Sequence, residues 1–251
     1  MSQDDAADDR RRNFLKSIGA GGALPFTQGL VGGLGATAIS VAHTAEAPPS
    51  VPAPPAALIG YTCLSQDEAA FVETMVNVMC PADDLTPNGV DSGLAAFIDR
   101  QLAGDFGRGG RRYSRGPWRQ GLPQQGLQLP LTPEQHFKAG IAAANDASVA
   151  RHGKTFDQLA PAEANAFLES LAAGQVASES LALATWFNEL VYPLFNQACF
   201  ADPIYGGNVG KVFWKMIGYP GLPATNSVNV VQFRGKPFPG AKDPKSIADF
   251  S

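Results

Sequence analysis

The residues best suited to metal or redox chemistry are three cysteines and three histidines, and their spacing predicts neither kind of site. Iron–sulfur clusters usually need four clustered thiolates, whereas the cysteines are scattered at Cys63, Cys80 and Cys199. The histidines are equally scattered, at His43, His136 and His152. The chain also lacks the C-x-x-C-H motif of haem attachment and a strand-associated glycine motif for a dinucleotide. We therefore expect no catalytic residue, no metal site and no cofactor on this chain.

The cysteines allow two interpretations. An oxidising compartment permits one intrachain disulfide with one thiol left over, and the odd thiol could instead bridge two subunits. Alternatively, all three are small buried apolar residues, as cysteines outside disulfides often are.

Arginine and aromatic residues are concentrated between residues 104 and 121. Tyr113 and Trp118 alternate there with arginines that include Arg115 and Arg119. The formal net charge of the whole chain is −4, which argues against a nucleic-acid partner. Because arginine, tyrosine and tryptophan are enriched in interface hot spots, these four residues are candidates for binding a partner protein. A phospholipid surface and a solvated arginine-rich loop are the alternatives.

The stretch from Asp202 to Asn208 is the most distinctive part of the body. Its sequence, D-P-I-Y-G-G-N, combines a proline that fixes φ with two glycines, Gly206 and Gly207, that permit positive φ. It predicts a rigid connection between helices that presents Tyr205, with Asn208 capping the next helix. We expect Trp214, on that helix, to pack at the same partner interface or to brace it.

Helical periodicity and capping signals dominate the residues that must position these candidates. Ser65 and Glu68 form a capping box before an apolar stripe, and Thr132 with Pro133 is a second helix start. The pattern predicts an all-α fold, a small domain of about six helices. The predicted helices begin near residues 66, 91, 133, 161, 178 and 209. Period-two alternation over 228–233 indicates one edge strand or an extended arm.

Two segments, 104–131 and 222–251, have no periodic apolar face. With 27 glycines and 20 prolines in the chain, we expect them to be long irregular arms. Such arms need a partner surface to hold them, or they are disordered. We expect them to wrap around a partner.

The N-terminus carries an export motif. Arg11, Arg12, Phe14, Leu15 and Lys16 resemble the twin-arginine signal R-R-x-F-L-K, and a weakly apolar, glycine-rich stretch follows. The resemblance implies export of the folded protein to the periplasmic face of the cytoplasmic membrane. Cleavage of the leader and its retention as an anchor are both compatible with the sequence.

Composition therefore divides the chain into four parts. They are an export signal over 1–47, a proline-rich tether over 48–57, a helical domain over 58–221 and an extended C-terminal arm over 222–251.

Residues 202–208, followed by W-K-M-I-G-Y-P-G over 214–221, resemble the gluconate 2-dehydrogenase small (gamma) subunit family. The segments P-A-D-D over 81–84 and F-I-D-R-Q-L over 97–102 are similar too. The segment Y-S-R-G-P-W over 113–118 resembles the longer members associated with gluconate oxidation. The resemblance covers roughly residues 60–235.

The resemblance implies a subunit of a heterotrimeric, membrane-bound dehydrogenase that oxidises gluconate to 2-keto-gluconate. In such a complex, a large flavoprotein holds FAD and an iron–sulfur cluster, and a cytochrome c subunit with haem c passes electrons to ubiquinone. The small subunit is non-catalytic and serves export and assembly of the flavoprotein. A stand-alone periplasmic hydrolase or binding protein is the alternative function, and it would need a convergent polar site.

Overall fold

The computed structural model describes residues 60–110, 112, 115–119, 121, 129–222 and 226–250. The predicted export signal, the proline-rich tether and Tyr113 lie outside the described residues. The described residues all belong to one compact unit.

Two helices begin at capping boxes, as the sequence predicts. Helix α1 spans Gln66–Met79, and the Ser65 hydroxyl accepts from the Glu68 amide while the Glu68 carboxylate accepts from the Ser65 amide. The third helix, α3, spans Pro133–His152 and has the same reciprocal pair between Thr132 and Gln135. Such a pair satisfies two backbone donors that a helix otherwise leaves without partners.

The second and fourth helices are also where the sequence places them. Helix α2 spans Leu94–Ala103 and begins after Gly93, two to three residues later than predicted. Helix α4 spans Pro161–Ala172, and the Glu163 carboxylate accepts from the amide of Ala160.

The fifth predicted helix is broken into three parts. Helix α5 spans Leu183–Trp186, a π-helical turn spans Phe187–Val191, and helix α6 spans Tyr192–Phe200. The helix begins later than the predicted residue 178, and its regular hydrogen-bond ladder is interrupted just before Pro193. Proline has no amide hydrogen, so Pro193 cannot donate the backbone hydrogen bond that a regular α-helix would require of it. The wider π-helical turn changes the bonding pattern just before Pro193 and so accommodates the missing donor.

The C-terminal part corrects one prediction. A 3₁₀ turn spans Val209–Lys211, helix α7 spans Val212–Ile217 and helix α8 spans Asn226–Gln232. The predicted edge strand or extended arm over 228–233 is therefore wrong, because most of it is helical. The described residues offer it no neighbouring strand, only one isolated parallel bridge between Gly221 and Lys245. Residues that alternate between apolar and polar form a β-strand only where a neighbouring strand can pair with them.

Five large aromatic side chains form the centre of the core. Helix α1 packs against α2, α3 and α4, and α3 also packs against α5. The Phe71 ring centroid lies 4.6 Å from that of Phe156 and 6.3 Å from that of Trp186. Gly140 permits this packing, because a Cβ there would lie 2.0 Å from the indole of Trp186. The five core rings belong to Phe71, Phe137, Phe156, Phe167 and Trp186.

The first predicted arm is partly integrated into this body. Residues 104–110 form successive turns after α2, where the Gly107 amide donates to the Gln101 carbonyl and the Glu134 amide donates to the Gly107 carbonyl. A Cβ on Gly107 would lie 1.7 Å from the Leu102 carbonyl oxygen, so this close return requires glycine. These residues need no partner to hold them.

In the part of the chain that is described, none of the helices has the length and apolar character that a membrane span requires.

Candidate functional site

The loop from Asp202 to Asn208, here called the signature loop, is held by two buried polar side chains. One carboxylate oxygen of Asp202 accepts from the amide of Ile204 at 3.0 Å and closes the 3₁₀ turn Pro203–Tyr205. Asn208 is fully buried, with φ at +49°; its amide group donates to the Ala201 carbonyl and accepts from the Phe213 amide at 3.0 Å. Asn208 thus closes the loop and accepts from the second residue of the helix Val212–Ile217. It does not cap the turn that begins at Val209, and Lys211 precedes the helix itself, so the predicted cap is replaced by a longer-range bond.

The two glycines allow the loop to lie directly on neighbouring elements. Gly206 has φ at +101°, and a Cβ there would lie 2.5 Å from the guanidinium of Arg100 on α2. A Cβ on Gly207 would lie 2.4 Å from the Ala198 carbonyl oxygen on α6. A larger residue at Gly207 would meet fixed backbone and push the loop away from α6, whereas a larger residue at Gly206 would be strained by its positive φ.

Tyr205 is the side chain that this loop presents. It is 51% exposed and lines an open groove of about 550 Å³ with Phe97 and Phe200. Phe200 is itself 44% exposed, which is unusual for a phenylalanine at the end of a core helix. The remaining lining residues are Gln101, Asn196, Gln197 and Ala201. The groove combines exposed aromatic surface with side-chain amides, a composition that suits contact with another protein.

Trp214 supports this groove from inside. It is 2% exposed, and its indole N–H donates to the Phe200 carbonyl at 2.8 Å. Its ring also meets Tyr219 edge to face, with centroids 5.1 Å apart. Of the two roles that the sequence leaves open for Trp214, its burial fits bracing, because the indole ties α7 to the end of α6.

The arginine-rich segment forms a separate feature. Arg115, Trp118 and Arg119 are exposed, and Trp118 lines a cavity of about 90 Å³ with Arg108 and Pro133. This cavity shares no lining residue with the Tyr205 groove. The two sets of predicted partner-binding residues therefore occupy two distinct places on the chain.

The C-terminal residues contact the signature loop. The sequence alone gives no indication of this contact. The second carboxylate oxygen of Asp202 accepts from the amide of Ile247 at 2.8 Å. Lys211 donates to the Pro244 carbonyl and pairs with Asp249. Residues 243–250, here called the C-terminal strap, are therefore docked on the chain's own body. This part of the predicted 222–251 arm therefore contacts the chain's own body. Wrapping of the arm around a partner stays a prediction.

Asp99 is a structural residue that sequence reasoning missed. It is 2% exposed on α2, and its carboxylate accepts from three consecutive amides, those of residues 62, 63 and 64, at 2.7–2.9 Å. It fixes the chain segment that leads into α1. The sequence does contain a signal for this role, since Asp99 directly follows Ile98 in an apolar helical segment. A carboxylate buried there must accept hydrogen bonds from nearby donors.

The described cysteines and histidines include two whose pKa values are shifted by burial. Cys63, Cys80 and Cys199 form no disulfide with one another. Burial and a hydrogen bond to Glu134 raise the pKa of the Cys63 thiol to about 11. Burial, with the positive charge of Arg112, lowers the pKa of His136. Within the described ranges, no three His, Cys, Asp or Glu side chains are grouped so that they could hold a metal ion.

One comparison with known proteins gives a match. A family model described as gluconate 2-dehydrogenase subunit 3 matches residues 66–221, which is more than half of the chain. The matched region contains the aromatic core, Asp99, the signature loop and Trp214. No curated protein and no solved structure matches the chain.

Proposed function

Because the chain belongs to the gluconate 2-dehydrogenase subunit 3 family, we propose that it is a non-catalytic subunit that binds and stabilises a flavoprotein subunit. The carrying observation is the signature loop, which holds Tyr205 half-exposed beside Phe200 on a framework of buried hydrogen bonds. A surface that is rigid before binding loses little conformational entropy when a partner docks.

In this proposal the reaction takes place on the partners. The flavoprotein holds FAD and an iron–sulfur cluster and oxidises gluconate at its secondary alcohol to 2-keto-gluconate. The oxidation would release two protons and two electrons, and the haem c of a cytochrome subunit would carry the electrons to ubiquinone, which takes up two protons to become ubiquinol. The support is the family membership, together with the resemblance of residues 113–118 to members associated with gluconate oxidation.

The proposed location is the periplasmic face of the cytoplasmic membrane. Its support is the motif that contains Arg11, Arg12, Phe14, Leu15 and Lys16. The twin-arginine route exports folded proteins, so a flavoprotein already bound to this chain could cross with it. In the Arg11→Lys, Arg12→Lys double variant, we expect both proteins to remain in the cytoplasmic fraction. Normal periplasmic dehydrogenase activity in that variant would refute shared export.

Replacing both exposed aromatics of the groove tests the proposed assembly role. We expect a Phe200→Ser, Tyr205→Ser variant, tagged and co-expressed with the flavoprotein, to capture at least tenfold less flavin-containing partner. The matched control is Val149→Ser on α3, an apolar residue that is 46% exposed and not part of the groove. Circular dichroism verifies that both variants are folded. Equal capture by the folded groove variant and the control would refute docking at the groove.

A further inference from the structure

The stretch after the signature loop has a charge pattern unlike that of the rest of the chain. Between Asp202 and Asp243 there is no acidic residue, although the chain as a whole has an excess of acidic residues. Of the basic residues in this stretch, Lys211 is paired with Asp249. The remaining cations, all exposed, are Lys215, Arg234, Lys236 and Lys242.

These cations belong to elements that pack together. We call residues 212–222 and 226–242 the basic lobe. Helix α7 packs against the 3₁₀ turn Pro239–Lys242, so that the elements carrying Lys215 and Lys242 are neighbours. Phe233 and Phe238 stack edge to face with centroids 5.1 Å apart and fold the end of α8 back on the segment that follows.

The basic lobe also exposes an unusual number of aliphatic side chains. On α8, Val228, Val230 and Val231 are 60%, 69% and 79% exposed. On α7, Met216 and Ile217 are 45% and 56% exposed. Protruding aliphatic side chains on elements that also carry exposed cations are the composition of segments that lie in a membrane interface.

We propose that the basic lobe binds an anionic phospholipid surface, with its cations at the headgroups and its exposed aliphatic side chains at the boundary of the acyl chains. Charge complementarity carries this choice of partner. An acidic protein surface fits the observations less well, because the two phenylalanines that could anchor a protein interface pack on each other. A lipid surface requires no complementary pocket.

Vesicle binding tests this inference on the full-length chain without any partner subunit, so its outcome is independent of the proposed function. The chain is mixed with phosphatidylcholine vesicles that contain or lack phosphatidylglycerol, and the bound fraction is measured by flotation. We expect binding to the phosphatidylglycerol vesicles that weakens as salt is raised.

Two double variants with the same loss of charge separate the lobe from general electrostatics. Arg234→Gln with Lys236→Gln should lower the partition coefficient by about tenfold or more, because each cation near an anionic surface strengthens binding about fivefold. Arg151→Gln with Lys154→Gln, at the exposed end of α3, is the control and should change it less than about twofold. The N-terminal residues are identical in all variants, so their own affinity cancels.

A third variant tests the apolar contribution. Val230→Ser with Val231→Ser should weaken binding even where salt screens the charges, and both sites are exposed, so the fold should be retained. Equal losses in the two charge variants, or no loss in the lobe variant, would overturn the proposal. Unchanged vesicle binding with weakened flavoprotein capture by the lobe variant would also overturn it and assign the lobe to an acidic protein surface.

Discussion

The aromatic core and the signature loop are stabilised in opposite ways. In the core, Phe71, Phe156 and Trp186 are completely buried and stabilise the fold through contact area. In the signature loop, Asp202 and Asn208 are the buried side chains, while Tyr205 faces solvent. The aromatic rings of the core are buried. In the loop, by contrast, hydrogen bonds of buried polar side chains hold the backbone so that the ring of Tyr205 is exposed.

This difference separates stability from binding. Apolar packing is cooperative across the domain, so damage to the core reduces the stability of every helix that meets there. The hydrogen bonds of Asp202 and Asn208 involve only the loop and the segments that touch it, so their loss should alter the loop while the core helices remain folded. Variants in the two regions should therefore fail in distinguishable ways.

The largest expected effect is in the core. Phe71→Ala should lower the free energy of unfolding by about 3–5 kcal/mol, because it removes a fully buried ring and leaves a cavity beside Phe156 and Trp186. Urea unfolding followed by tryptophan fluorescence measures this loss. The control, Val149→Ala, is half-exposed and should change stability by less than about 0.5 kcal/mol. Similar losses for the two variants would contradict the assignment of this core.

A smaller loss is expected at Asp99, the buried carboxylate on α2 that fixes the segment leading into α1. Asp99→Ala leaves three amide donors without their acceptor and should cost about 3 kcal/mol. Asp99→Asn should lose less stability than Asp99→Ala. One carboxylate oxygen of Asp99 accepts two of the three hydrogen bonds, and the side-chain oxygen of asparagine can accept the same two. Denaturant unfolding of both variants gives the comparison. A loss as large for asparagine as for alanine would mean that the hydrogen bonds are not the cause.

The smallest effect on global stability is expected at Asp202. Asp202→Asn should weaken its bond to the Ile247 amide by about 1–2 kcal/mol, and hydrogen exchange at that amide should be about tenfold faster or more. Exchange in the core helices should not change. Asp243→Asn on the same strap is the control, since it removes the same charge without touching that amide. Unchanged exchange at Ile247 in Asp202→Asn would show that the strap is held by other contacts.

The core could be predicted from sequence to a large extent, because its signals are local. The capping boxes at Ser65 and Thr132 lie within four residues of the helices they start, and the apolar stripes follow directly. The break before Pro193 could be placed only approximately, since a proline can be accommodated by a kink or by a π-helical turn.

The surroundings of the signature loop could not be predicted, because their partners are distant in sequence. The loop itself follows from its glycines and proline, but the bond from Ile247 to Asp202 joins residues 45 positions apart. Alternation over 228–233 favoured an extended segment, and helix α8 forms instead with its valines exposed. A hydropathy pattern predicts an element through the face that the element buries. Helix α8 buries little of any face, so its pattern carries little information.

Hydrogen exchange of the chain by itself and in complex with the flavoprotein tests the central claim most directly. The account predicts that residues 200–206 exchange more slowly in the complex, and that residues 115–119 do so if the arginine-rich segment is a second contact. The core helices α1, α3 and α4 should exchange at the same rate in both states. Equal exchange of residues 200–206 in the free and bound chain would contradict docking through the signature loop.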